Sequence, residues 1–230
     1  MTAFPTPRTL QEATAIQRDL AARVSLTGDL SQVRTLAALD ASHKRGEGLV
    51  AAAVLWDCGA HKVREVGFAA VDPDEVFPYV PGYLSFREAP AYLEALANLS
   101  QTPELLLVDG QGVAHPRGLG IAAHLGVHLD LPSLGVAKSL LYGKPAGELA
   151  DEAGNAVPLV AKGAQIGWVY RSRTKVKPLY VSPGHRVGFD AGLEFIRALP
   201  SRTKLPDPLQ EAHRWAGRAR KEGLRGRVTL

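Results

Sequence analysis

The run Glu104-Leu-Leu-Leu-Val-Asp109 constrains the fold more than any other stretch of the chain. Its uninterrupted apolar residues leave no polar face for water, so a strand here must be covered on both sides. Such a strand belongs in the middle of a sheet with helices on both faces. A glycine-rich loop follows, then a helical stretch from about Gly118 to Leu125, and then Ser133-Leu-Gly-Val-Ala137, which reads as another strand ending at Lys138. Strand, helix, strand implies a parallel crossover.

The segments upstream have a different character. Leu10, Ala13, Ile16, Leu20 and Val24 recur at helical spacing, so Thr9 to Val24 reads as an amphipathic helix. Leu36-Ala-Ala-Leu-Asp40 is a short apolar run ending in an acid, and a loop from His43 to Gly48 follows it. Leu49 to Trp56 and Val63 to Val71 then read as strands joined by a turn around Gly59. Short connections between three strands suggest an antiparallel meander. Phe86 to Asn98 looks helical, with Pro90 in its first turn, where a missing N–H is tolerated. Beyond Ser139 the chain suggests a polar loop, short strands near Gly167–Arg171 and Leu179–Val181, and helices over Gly188–Leu199 and Asp207–Arg220. Three meander strands followed by two crossover strands is the order of a ribonuclease-H-like fold. The expectation is one α/β domain over residues 1–230, a mixed five-stranded central sheet flanked by helices, with a basic tail from about Trp215.

Composition narrows the function classes. No stretch of eighteen apolar residues lacks a charge, so a membrane span is not expected. Met1 to Arg8 lacks the basic and apolar regions of a secretory signal, and a cytoplasmic protein is expected. The single cysteine, Cys58, excludes an intrachain disulfide and a multi-cysteine zinc site. A net charge of +4 permits a polyanionic partner without demanding one. Positive charge concentrates in Arg171 to Lys177 and Arg214 to Arg227, where it suits a nucleic-acid backbone or an ordinary solvated face. No long apolar heptad stands out, so a monomer is expected.

Asp40 and Asp109 each end an expected buried strand. Either alone is explained by a turn cap. If the strands are neighbours, however, the two carboxylates meet and repel, and a divalent cation between them resolves the conflict. All-oxygen ligands favour Mg²⁺ or Mn²⁺ over zinc. Glu88, near the start of its helix, fits either a favourable helix-dipole position or a third carboxylate beside Asp40. In Pro78-Tyr79-Val80-Pro81 two prolines stiffen a loop that presents an aromatic ring. That ring either packs on the core or wedges into a base stack. The loop from Asp109 to Gly120 is rich in glycine and leads into a helix N-terminus, but lacks the spacing of a dinucleotide fingerprint.

Leu39-Asp40-Ala-Ser, Pro78-Tyr-Val-Pro-Gly-Tyr-Leu-Ser-Phe-Arg-Glu88, Leu107 to Gly120 and Gly135-Val-Ala-Lys-Ser139 resemble endonuclease V motifs, and Val181 to Arg186 is similar to a later segment of that family. The resemblance runs from about Leu10 to His213. It implies a Mg²⁺-dependent DNA-repair endonuclease, in which Mn²⁺ could substitute. Such an enzyme cleaves the second phosphodiester bond 3′ to deoxyinosine and leaves 3′-hydroxyl and 5′-phosphate ends. By motif position Asp40 and Asp109 would hold the metal, with Glu88 binding it directly or through water. Lys138 would face the scissile phosphate, and His213 resembles the family's active-site histidine. Tyr79 would be the wedge, with Pro78, Val80 and Pro81 around it, and His115 would contact nucleic acid. The base would enter a pocket built from Gly82, Leu84, Gly110, Gly120 and Ile121. A backbone N–H facing the inosine carbonyl would leave adenine's amine unpaired, at about 1–3 kcal/mol.

His43 stands where an aromatic is common in the family and is given a packing role. His124 and His128 have the i, i+4 spacing of zinc ligands, but the helix offers no catalytic glutamate and a core role is expected. Ser182 with His185 does not suggest a triad, and Cys58 is expected to be inert. Two rival functions remain: a ribonuclease for inosine-containing RNA, and a non-catalytic nucleic-acid-binding protein on the same fold.

Overall fold

The computed structural model describes residues 4–43 and 48–230. The middle of the loop expected between His43 and Gly48 lies outside the described residues. The apolar run becomes strand β4 (Leu105–Val108), buried throughout. It pairs in parallel with β1 (Thr35–His43) on one side and β5 (Ser133–Ala137) on the other. Strands β2 (Leu49–Asp57) and β3 (Lys62–Val71) complete the antiparallel meander.

Alternation along the central strands distributes their side chains to two cores. Leu36, Ala38, Leu105 and Leu107 face one layer, with helices α4 (Phe189–Ala198) and α5 (Asp207–Glu222). Ala37, Leu39, Leu106 and Val108 face the other, with α2 (Leu84–Ala97) and α3 (Ile121–Leu129). Helix α1 (Leu10–Ala21) packs outside α3, its N-terminus capped by Thr9 accepting from the Glu12 N–H. The chain is thus a mixed sheet between two helical layers, as the order of apolar runs implied.

The sheet is wider than the expected five strands. Its order is β10-β3-β2-β1-β4-β5-β9-β8-β7-β6, a ten-stranded sheet. The added half comprises β6 (Lys144–Pro145), β7 (Ala156–Ala161), β8 (Ala164–Tyr170) and β9 (Leu179–His185), paired antiparallel beyond β5. The stretch expected as a basic tail is also ordered structure. Residues up to Glu222 complete α5, and β10 (Gly226–Thr229) pairs with the edge of β3.

Two local expectations are corrected. Asp40 does not end its strand, because β1 continues through Ala41 and Ser42 to His43. Helix α2 begins at Leu84 rather than Phe86, so Pro90 lies inside the helix and Glu88 is beyond the first turn. The dipole explanation for Glu88 weakens accordingly.

Helix α2 approaches the sheet most closely at Gly67 of β3, where an added Cβ would lie 2.1 Å from the Ala95 carbonyl oxygen. Backbone cannot yield that far without moving the helix. Gly67→Ala is therefore expected to lower unfolding free energy by about 1–3 kcal/mol, typical of overpacking. Urea denaturation measures it, and an unchanged midpoint would show that α2 shifts freely.

Candidate active site

The parallel register sets Leu39 opposite Val108, and the Asp109 N–H donates to the Leu39 carbonyl at 3.0 Å, extending the ladder by one rung. By alternation Asp40 and Asp109 leave neighbouring strands on the same side, the side α5 covers. There His213 Nδ1 donates to Asp40 Oδ2 at 2.7 Å. Lys138, just past β5, forms an ion pair with Asp109 Oδ2. Glu88 arrives from α2 and is buried, accepting from the Tyr92 hydroxyl at 3.1 Å.

The electrostatics join the three carboxyl groups into one site. Burial pushes Glu88 up to about 8, opposed by the Tyr92 hydrogen bond and reinforced by Asp40 and Asp109. Burial and then the Asp40 charge raise Asp109, while Lys138 and His213 pull it back. Lys138 is depressed by burial, but the Asp109 carboxylate outweighs this and holds it above the usual lysine range. Three carboxyl groups, of which Glu88 and Asp109 are raised by burial and by neighbouring carboxylates, form with one ammonium and one imidazole beside them an all-oxygen donor set suited to a hard divalent cation. Among the described residues no three ligand side chains already stand at coordinating spacing. Asp40 is held by His213, Asp109 by Lys138 and Glu88 by Tyr92.

A cavity of about 340 Å³ opens beside this cluster. Gly82, Leu84, Gly110, Gly120 and Ile121 all line it, and so do Asp109, Lys138 and His115. At Gly120 an added Cβ would lie 2.3 Å from the Gln111 carbonyl oxygen, so only glycine lets the loop fold back on itself at the wall. Tyr79, Val80 and Pro81 also line it. Tyr79 is 68% exposed, which removes the alternative that its ring packs on the core. Pro78 lies outside the cavity lining, on the exposed flank of the same loop. The loop is anchored at both ends: Arg87 Nη1 donates to the Phe77 carbonyl at 2.7 Å, and the Tyr83 N–H donates to the Val80 carbonyl at 3.0 Å. Pro81 and Gly82 form the corner of that turn, and Gly82 takes the left-handed φ of +81° that a type II turn requires.

The family described as Endonuclease V matches residues 18–214. An Endonuclease V from Thermus thermophilus is 63% identical over 219 residues, covering 95% of this chain and 96% of the relative. The chain belongs to the endonuclease V family. With relatives this similar it is a deoxyribonuclease, in a family of metal-dependent nucleases. The crystal structure of Endonuclease V from Streptomyces avermitilis superposes with a TM-score of 0.87 at 37% identity, covering 95% of this chain and 96% of the other. A Ciona intestinalis Endonuclease V, solved in complex with a 23mer DNA containing an inosine followed by a ribo-adenosine, shares the fold at 24% identity and a TM-score of 0.82, covering 96% of this chain and all of the other.

In this endonuclease V the fold accounts for His124, the Ser182–His185 pair and Cys58 as the sequence led one to expect, and departs from it at His43. His115 is buried: its Nε2 donates to the Gly82 carbonyl at 3.0 Å and its Nδ1 accepts from the Arg117 N–H at 3.2 Å. Its ring therefore faces the loop backbone that shapes the cavity. His124 is fully buried, shares a 2.9 Å hydrogen bond with Ser85 and stacks with Phe4, and burial drives its pKa down to about 3. Ser182 accepts from the Gly112 N–H while His185 pairs with Asp130, so they do not form a triad. Burial raises Cys58 to about 11, which suits an inert thiol. His43 is exposed at the end of β1 rather than packed.

The basic clusters are partly internal. Arg171 bonds the Val176 and Ala150 carbonyls, and Arg214 and Arg218 pair with Glu211 and Glu222. Gln17 and the exposed pair Leu140 and Leu141 lie outside the motifs, and Gln111 lies inside one without an assigned role, yet all four line the cavity. Two leucines in a loop directly after Lys138-Ser139, where no periodicity accounts for them, were the available signal.

Burial, then the Arg117 charge, lowers His115 to about 4 against the Gly82 hydrogen bond. A depressed histidine pKa means that the native state binds fewer protons than the unfolded state. Its stabilising contribution is present above the unfolded value near 6.5 and is lost as pH falls through about 4. His115→Gln is expected to shrink the difference in unfolding free energy between pH 7 and pH 5, as followed by urea denaturation. The same difference in both proteins would mean that His115 is not held neutral.

Proposed function

We propose that this protein is a DNA-repair endonuclease that hydrolyses the second phosphodiester bond 3′ to a deoxyinosine, leaving 3′-hydroxyl and 5′-phosphate ends. The observation that carries the reading is the continuity of one cavity. This cavity of about 340 Å³ is lined by Gly82, Gly110 and Gly120, by the exposed Tyr79, and by Asp109 and Lys138. A flipped base held there brings its own backbone toward the carboxylates.

Asp40, Asp109 and Glu88 would hold Mg²⁺, with Mn²⁺ as a substitute. The ion would supply charge to stabilise the phosphate and to ionise water. Lys138, anchored on Asp109, places an ammonium where negative charge builds on a non-bridging oxygen. His213 orients Asp40 through its Nδ1. Tyr79, displayed by a loop that two prolines stiffen, fills the gap a flipped base leaves. Gly110 and Ile121 line the cavity, and a backbone N–H from either, aimed at the base, would suit a carbonyl over an amine, whereas the Gly112, Gly120 and Ala122 N–H groups are already bonded within the loop and its neighbours. The inosine-containing DNA bound to the Ciona relative supports this choice of lesion.

A labelled duplex with a single deoxyinosine tests the reading. A Mg²⁺-dependent nick at the second linkage 3′ to the lesion is expected. Cleavage of only the matching inosine RNA would move the substrate to RNA, and cleavage of neither would sink the proposal. Asp109→Ala should reduce cleavage by at least about a thousandfold while lesion binding persists. Tyr79→Ala should weaken binding to lesion DNA more than to plain duplex, by about tenfold. Equal losses on both duplexes would count against the wedge.

A further inference from the structure

Helix α1 buries only two residues, Ala13 and Gln17, and Gln17 is 1% exposed. A buried amide needs partners for its donor and its acceptor. Gln17 finds them in segments remote in sequence. Its Nε2 donates to the Gly82 carbonyl at 3.0 Å and lies 3.5 Å from the Leu119 carbonyl. Its Oε1 accepts from Arg117 Nε at 2.5 Å. Arg117 in turn donates through Nη2 to the same Gly82 carbonyl at 2.6 Å and lies 4.3 Å over the Tyr83 ring. His115 Nε2 is a third donor to that oxygen. One turn earlier on α1, Thr14 Oγ1 hydrogen-bonds the Tyr83 hydroxyl at 2.7 Å.

The convergence lies on the corner of the Tyr79 loop. Three donors from α1 and the glycine-rich loop meet on one carbonyl oxygen, at the residue whose left-handed backbone turns the loop into α2. A merely apolar helix face would fill the space under this corner without joining the two loops. We propose that Gln17 is a positioning residue for the base pocket: it locks the Gly82 corner to the glycine-rich loop, so that wedge and pocket wall keep one relative placement. The proposal rests on the function argued above for its kinetic readout, but not for its structural one.

Gln17→Met keeps length and removes both hydrogen bonds. Gln17→Glu keeps an acceptor for Arg117 but sets an ionised oxygen against the Gly82 carbonyl. For both variants KM for the inosine duplex should rise about tenfold, with kcat within about twofold and binding to plain duplex unchanged. Amide hydrogen exchange of the free protein should speed up at residues 82–83 and 115–119 but not in β1, β4 or β5. Wild-type exchange at those loops, a fall in kcat alone, or equal losses on lesion and plain duplex would overturn the proposal. If Gln17→Met does not fold, Thr14→Val tests the same brace through Tyr83 from a more exposed position. If the wild-type protein does not cleave inosine DNA, the function above fails, and the exchange comparison still decides whether Gln17 braces the loop.

Discussion

The register between β1 and β4 is the constraint from which the site follows. Parallel pairing places Leu39 beside Val108, and a slip of one residue would send Asp40 to the opposite layer from Asp109. Packing resists the slip: both faces of β1 are apolar, but Leu36 and Ala38 would exchange places with Ala37 and Leu39, so each core would receive large side chains where it holds small ones and small where it holds large. Burial of leucines thus fixes the position of carboxylates that contribute nothing to burial themselves. The carboxylates oppose folding through mutual repulsion, and Lys138 and His213 offset part of that from separate elements.

The cavity is assembled differently. Its walls are loops, and their shapes come from close backbone approach at Gly120 and from the Pro81-Gly82 corner. The glycine-rich loop buries Val113, Ala114 and Leu119 beneath the wall, whereas the Tyr79 loop leaves its aromatic exposed. Their placement depends on polar side chains that reach across from elsewhere, among them Arg87 to Phe77, and Gln17, His115 and Arg117 to Gly82. The two halves of the site thus draw on different physics, packing for the carboxylates and hydrogen bonding for the pocket.

Much of this was legible in the sequence where a single residue's neighbours in the chain determine its role. The apolar run at Leu105 announced the central strand, and the resemblance to endonuclease V pointed to the glycines that line the cavity. In the antiparallel half, β8 and β9 were legible as the short runs near Gly167–Arg171 and Leu179–Val181, whereas β6 and β7 were hidden, because they are short, carry Lys and Pro, and have half-exposed faces that blur the alternation. The true start of α2 was masked by Pro90, whose usual place in a first turn suggested a later beginning. Gln17 could not be singled out at all: a glutamine on an amphipathic helix looks like a solvent position until Gly82 and Arg117 fold against it. The basic segments divide: Arg171 is half-buried on backbone carbonyls, while Arg214 and Arg218 remain on the surface in pairs with Glu211 and Glu222.

The turn that presents Tyr79 has a kinetic meaning. With φ fixed at Pro78 and Pro81, both loop ends bonded, and the Gly82 oxygen held by three donors, the loop has little conformational freedom left to lose on meeting a partner. The protein side of the encounter is already ordered, and the segment that must rearrange is the partner's. On the function proposed above, the tempo of capture would be set by how often a base in the duplex opens on its own, so weakly paired or mismatched bases would be engaged sooner than well-stacked ones, before any hydrogen bond in the pocket could discriminate.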